Sequence, residues 1–464
     1  MGKAHYRGKD LTEVRSPHRK LMPDKLYVGL GKHETTSLWG IAKRAQACKQ
    51  HRFQNLYRLL DEGLLLECWS SLNKKAASGV DGVTAAQYSE NLAENIRQLA
   101  QRLKTKSYRT KLVRRVYIPK GKGKERPLGI PALEDKLVQL CCARILTSIY
   151  EQEFLPMSYG YRPGKSARDA VDDLGFNLQY GSYGYAVEAD IKGYFDNIDH
   201  DCLLEILNRR IDDDAFLGLI RQWLKAGILE IDGEIIHPIT GSPQGGIVSP
   251  ILANVYLHHV MDQWFDQMVR AHSAGKVMMI RYADDFVCMF QYRADAERFY
   301  GVMPKRIGKY GLSLSLEKSG LRRLSRFSPG LHNRIEFLSV EFYWKPDYYG
   351  EIRMMKRTTP KRLHSAIAKI KEWIKENRHL GGRQFIVGLN RRLNGHYNYF
   401  GIKSNERAVR RFFNEAIDSA YKWLNRRGGK KNSFNWKSFT RALKRLKIAT
   451  PRLYDTGRQR VVYN

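Results

Sequence analysis

The residues best able to do chemistry in this 464-residue chain are three carboxylates, Asp190, Asp284 and Asp285. Two apolar runs of strand length flank the adjacent pair within Val277–Phe290, and the spacing predicts a β-hairpin with a doubly acidic tip. Taken alone, the pair reads equally well in two ways. It is a solvated turn, because Asp bonds its own backbone in turns; or it is a divalent-metal site, because carboxylate oxygens on a rigid hairpin hold Mg²⁺ and, through it, substrate phosphates. The metal reading requires a third carboxylate. Asp190 supplies it, closing the short apolar run Val187-Glu188-Ala189, with an aromatic following at Phe195. Asp190 lies 94 residues before Asp284, so the two meet only if the fold brings them together. Asp196 and Asp199 are weaker candidates because they do not follow the strand directly, and His200 reads as a helix cap or packing residue.

Several elements must position this set. Apolar residues recur at helical spacing over 53–69, 84–104 and 133–155, and again from Pro360, where Leu363, Ile367, Ile370 and Ile374 share one face. Val113–Pro131 reads as a hairpin with a Gly/Lys turn whose basic residues could reach a triphosphate. It is not a Walker A loop. Thr240–Pro250, with its glycines and prolines, predicts a tight irregular loop ahead of a helix at 251–257. The alternation Gly311–Ser319 predicts a strand, and 406–427 and 435–447 read as two more helices.

Composition bounds the partners. The net charge of +33 is uneven: residues 1–50 carry +7, 351–464 carry +22, and the centre only +4. A near-neutral centre between basic ends suits a carboxylate-bearing core with flanks that hold a polyanion, nucleic acid before membrane, since no long apolar span appears. The N-terminus lacks an apolar signal core, and the six cysteines form no C-x-x-C pair, so neither secretion, a zinc finger nor a disulfide framework is expected; a reducing cytoplasm is the expected setting.

Asp190 together with Tyr282-Ala283-Asp284-Asp285 resembles the palm of reverse transcriptases, in the form found in group II intron-encoded enzymes. Further blocks follow in that family's order. Ser78–Gly82 resembles the N-terminal extension motif, Tyr159–Ser166 the second block, Pro243-Gln244-Gly245-Gly246 the fourth, and Ile335–Phe342 the primer grip, with Ser339 where the family usually has Gly. Leu389–Gly401 resembles the maturase, or thumb, motif. The resemblance implies an α+β right hand of fingers, palm and helical thumb that copies RNA into DNA. It implies two Mg²⁺ ions held by Asp190 and Asp284, with Asp285 and Ile191 assisting. It places the incoming dNTP against Lys120, Arg126, Ile191, Gln244 and Lys318, with Phe195 excluding a 2′-hydroxyl. It assigns RNA contacts to Arg162 and Lys165 and, in the thumb, to Arg391, Arg392, His396 and Tyr397, where aromatics among Arg and Asn suit stacking and phosphate contact.

The implied division is a basic arm at 1–50, extension and fingers at 51–180, palm at 181–350 and thumb at 351–464. No His/Asn or Cys cluster follows, so the DNA endonuclease domain of many family members is expected to be missing. The implied partners are an RNA template, a DNA or RNA primer, dNTPs and a group II intron RNA whose splicing and mobility the protein assists. Two alternatives stay open: a domesticated reverse transcriptase of DNA repair or antiphage defence, and a non-catalytic RNA-binding splicing factor.

Overall fold

The computed structural model describes residues 37–121, 124–241, 245–426 and 434–454. Its strands, in chain order, are β1 (Val113–Gly121), β2 (Lys124–Ile130), β3 (Tyr185–Ala189), β4 (Ile228–Leu229), β5 (Ile235–Ile236) and β6 (Val277–Tyr282). They continue as β7 (Asp285–Phe290), β8 (Gly320–Arg323), β9 (Arg334–Phe337), β10 (Val340–Pro346) and β11 (Ile352–Thr358). Among the described residues three small sheets result, ordered β2-β1-β4-β5, β6-β7-β3-β8 and β11-β10-β9, in a mixed α+β chain with helices grouped between Pro360 and Arg445.

The sheet β6-β7-β3-β8 is a wall between two apolar clusters. Val187, Val277, Met279, Phe286 and Cys288 face one cluster, which includes the helix Leu133–Tyr150; Ala186, Met278, Ile280, Val287 and Met289 face the other, which includes the C-terminal helices. Coverage of both faces explains why Val277–Ile280 and Phe286–Phe290 read as continuous apolar runs rather than as alternating ones. Each large side chain buried this way stabilises the sheet by about 1.5–3 kcal/mol, so the ends of its strands are fixed points on which a site can be built.

The C-terminal helices are Pro360–Glu376, Gly382–Phe400, Glu406–Asn425 and Trp436–Arg445. The first buries Leu363, Ile367, Ile370 and Ile374, the face its periodicity predicts. Among the described residues no helix is long and apolar enough to cross a membrane.

Four expectations change. The stretch 53–69 is a 3₁₀ turn, Leu56–Leu59, followed by a separate helix, Glu62–Ser71, N-capped by Asp61. The stretch 84–104 is two helices, Ala85–Glu90 and Leu92–Lys104, broken at Asn91. The arm expected at 1–50 folds at its end: Leu38–Ala47 is a helix, N-capped by Ser37, that buries Leu38, Ile41 and Ala45 in the core; residues 1–36 lie outside the described residues. The strand expected at Gly311–Ser319 is reduced to one bridge between Leu314 and Ile191, followed by a 3₁₀ turn at Leu316–Lys318. Leu312 and Leu314 still pack on the core, but Leu316 is 75% exposed, so the alternation loses its buried face there.

Candidate active site

β6 and β7 join through the two-residue turn Ala283-Asp284, with Tyr282 and Asp285 as the last pair. Ala283 has φ 56°, the left-handed conformation that two-residue hairpin turns need and that costs an L-residue about 1–2 kcal/mol. Asp190 follows β3, whose Ala189 pairs with Phe286 of β7. The antiparallel register therefore sets Asp190 across from Asp285, and all three carboxylates stand at one end of the sheet. The segment after Asp190 is pinned by the Ile191–Leu314 bridge and by Ser315 N–H donating to the Asp190 carbonyl at 2.8 Å.

Their charges are in conflict. Burial pushes Asp285 up to about 6, and the like charges of Asp284 and Asp190 push it further in the same direction. Burial also raises Asp284, with Asp190 adding to it. Lys318 answers part of this charge: its Nζ donates to Asp190 Oδ2 at 2.6 Å, and that bond raises the lysine's own pKa. Arg126 of β2 lies within electrostatic reach of Asp284 and of Tyr161. Crowded carboxylates of this kind are a hard-oxygen donor set that a divalent cation would relieve. Among the described residues no group of three or more His, Cys, Asp and Glu is placed to hold a metal ion by itself. The carboxylate oxygens suit Mg²⁺ chemically, and an ion held there would need main-chain oxygens, water or substrate phosphates to complete its shell.

The neighbouring pieces pack tightly on this centre. A Cβ added to Gly160 would lie 2.2 Å from the Ala283 nitrogen, so the loop of the Tyr159–Ser166 block rests directly on the acidic turn. Phe195 sits in a 3₁₀ turn, Tyr194–Asn197, 8% exposed, with its ring edge-on to Tyr194 at 5.4 Å. Ile191 is 2% exposed, so any contact it makes with metal or nucleotide falls to its main chain. Gln244 and the Lys120 side chain lie outside the described residues. The glycine loop beyond Gln244 is close-fitting, for a Cβ on Gly245 would lie 2.4 Å from the Gly129 carbonyl oxygen of β2. Gln139, which sequence reasoning passed over, anchors that loop by accepting from Ile247 N–H at 2.8 Å; a lone amide inside the buried helix Leu133–Tyr150 was the available signal.

Comparison with known proteins agrees with this arrangement. A family model described as reverse transcriptase (RNA-dependent DNA polymerase) matches residues 118–342, which contain all three carboxylates. Protein YkfC of Escherichia coli is 31% identical over 358 residues, 69% of this chain and 91% of YkfC. The chain belongs to the reverse transcriptase family. Group II intron-encoded protein LtrA of Lactococcus lactis subsp. cremoris is 40% identical over 225 residues, 47% of this chain and 37% of LtrA. A putative COX1/OXI3 intron 1 protein of Saccharomyces cerevisiae is 30% identical over 214 residues, 46% of this chain and 25% of that protein.

Within this reverse transcriptase, three residues expected on an RNA surface are buried. Arg162 is closed into an ion pair with Glu151 at 2.7 Å and donates to the Leu155 and Ser158 carbonyls, which ties the loop down and leaves no free fork for phosphate. His396 and Tyr397 fall on the core face of Gly382–Phe400 with Leu389, Leu393 and Phe400. His396 stacks on Phe412 at 3.8 Å, and Tyr397 donates to the Ala449 carbonyl. Arg391 and Arg392 are exposed, Arg391 opposite the core face and Arg392 at its edge, lying 4.0 Å over the Trp373 ring. Lys165 is half-buried, its Nζ donating to the Pro156 and Ser158 carbonyls.

Two outcomes follow from these positions. Burial holds the His396 pKa near 4, well under its ordinary 6.5, and its Nε2 has no hydrogen-bond partner. Between those pH values the unfolded chain binds a proton that the fold refuses. Stability is therefore complete above about pH 6.5 and falls by about 3 kcal/mol as the pH drops toward 4. In urea melts His396→Phe should gain stability relative to the wild type at pH 5 that it does not gain at pH 7.5. At the β9–β10 turn, Leu338 and Ser339 have φ 52° and 63°, and Tyr399 OH donates to the Leu338 carbonyl. Glycine takes such angles freely, so Ser339→Gly should raise stability by about 1 kcal/mol in the same melts.

Proposed function

We propose that this chain copies RNA into DNA by metal-dependent nucleotidyl transfer, as a right hand in which β1–β2 belong to the fingers, the sheet β6-β7-β3-β8 to the palm and the helices from Pro360 to the thumb. The observation that carries the reading is the convergence of Asp190, Asp284 and Asp285 at one end of that sheet, inside the matched family region. Mg²⁺ ions held by Asp190 and Asp284, with Asp285 assisting, would supply the Lewis acidity for primer 3′-hydroxyl attack and pyrophosphate departure. The protein's own groups position and select. Arg126 would take up triphosphate charge, a role supported by its electrostatic reach to Asp284, and Lys318 would follow the leaving phosphate, a role supported by its bond to Asp190. Phe195 gives the sugar an apolar floor with no partner for a 2′-hydroxyl. Phe195→Ala should lower discrimination between dNTP and rNTP, measured as the ratio of their kcat/KM values, by at least about tenfold.

The finer role is assistance to a group II intron RNA, supported by the likeness to LtrA and by the +22 charge of residues 351–464. A domesticated role is the second reading, since the match covers 37% of LtrA, the relative named for an intron. Crosslinking the chain to RNA in its native cells, followed by sequencing and a splicing assay on any enriched intron, tests the first. Enrichment of a group II intron whose splicing the chain accelerates supports it, and recovery of no intron favours the second.

A further inference from the structure

Arg281 interrupts the apolar run of β6 three residues before Asp284, and it is fully buried, at 0% exposure, together with Asp262. Its Nε and Nη2 donate to the two Asp262 oxygens at 2.7 and 2.5 Å, a bidentate pair. Nη2 also donates to Ser158 Oγ at 2.8 Å, and Nη1 donates to Asn254 Oδ1 and to the Ala283 carbonyl, each at 3.0 Å. Asn254 in turn donates to the Gly160 carbonyl at 2.6 Å, and the main chain of Arg281 exchanges bonds with Met157 and Tyr159. Asp262 closes a π-helical turn, His258–Asp262, an irregularity that re-aims the side chains it carries. The Arg281 charge keeps Asp262 ionised, with its pKa near 2.

A buried ion pair is a poor way to gain stability, since apolar residues of similar volume often do as well or better. What this one provides is position. A single planar guanidinium touches the carbonyl in the middle of the acidic turn, the helix Ser249–Leu257, the π-helical turn and the loop that carries Gly160. No apolar residue could hold all four in register.

We propose that Arg281 is a positioning residue of the polymerase site: its guanidinium locks the Ala283-Asp284 turn against Asp262, Asn254 and the Met157–Gly160 loop, and so fixes the Asp284 carboxylate for metal. This rests on the metal-dependent reading above. Arg281→Lys keeps a charge beside Asp262 but cannot reach the other partners together. Asn254→Leu leaves the Arg281–Asp262 pair intact and cuts the tie to Gly160.

The test combines Mn²⁺ binding to the full chain by electron paramagnetic resonance, the Mg²⁺ dependence of primer extension, template–primer affinity and thermal melts. Arg281→Lys should weaken Mn²⁺ binding and raise the half-saturating Mg²⁺ by about tenfold or more, with template–primer affinity unchanged, and Asn254→Leu should shift both in the same direction by less. Loss of stability alone would shrink the active fraction without moving the Mg²⁺ midpoint. Should Arg281→Lys fail to fold, Asn254→Leu decides alone. A folded variant with wild-type Mn²⁺ affinity and Mg²⁺ midpoint overturns the proposal and leaves the polymerase reading standing. A wild type that neither binds Mn²⁺ nor extends a primer overturns that reading and the proposal with it.

Discussion

Replacing Asp284 by Asn should reduce single-nucleotide incorporation by at least about a thousandfold while template–primer binding stays within a few-fold of wild type. Asn keeps the volume and the turn but removes the charge. A carboxylate that orients a cation against transferring phosphates contributes several kcal/mol to the transition state, and each 1.36 kcal/mol is a factor of about ten. The loss should fall in kcat rather than in template affinity, because the basic C-terminal helices lie apart from Asp284 in sequence and carry most of the charge. The same substitution should stabilise the metal-free protein. Asp284 and Asp285 have pKa values raised by burial, so the fold binds protons that the unfolded chain has released, and stability falls as the pH rises from about 4 toward 6. Added Mg²⁺ should reverse that trend in the wild type and not in Asp284→Asn. Pre-steady-state quench and paired melts check both halves.

Gly160→Ala should be nearly as damaging although it touches no charge. Its Cβ would lie 2.2 Å from the Ala283 nitrogen and 3.0 Å from the Ala283 Cα and the Tyr282 carbonyl carbon. Backbone cannot yield as a flexible side chain can, so loop and turn must separate. A displacement of about 1 Å at a reacting group costs on the order of a hundredfold in rate. Incorporation should fall by that order with the unfolding midpoint lowered and the secondary structure retained. Near-wild-type incorporation by Gly160→Ala would show that the turn tolerates movement.

Much of this site was legible because its chemistry is local. Two Asp residues between apolar runs announce an acidic hairpin, and Asp190 announces itself by closing a strand. What was not legible is non-local. The order β6-β7-β3-β8 sets Asp190 across from Asp285 through pairing between segments far apart in the chain, which no periodicity encodes. The errors came from reading residue type before helical phase. His396 and Tyr397 look like RNA ligands beside Arg391 and Arg392, yet Leu389, Leu393 and Phe400 already placed them on the buried face. Arg162 looked like a free cation in a loop, and its partner Glu151 lies just beyond the preceding helix. At Gly311–Ser319 the alternation does mark burial at Leu312 and Leu314, but the segment makes an isolated bridge to Ile191 instead of a strand, and Leu316 is exposed. Arg281, a charge inside an apolar strand, was the plainest sign passed over.

The most direct test of the central claim is primer extension by the purified full chain on an RNA template with dNTPs and Mg²⁺. The arrangement of Asp190, Asp284 and Asp285 predicts DNA products that lengthen with time, require Mg²⁺ and survive RNase digestion of the template. A folded chain that binds the same template–primer tightly and adds no nucleotide would contradict it.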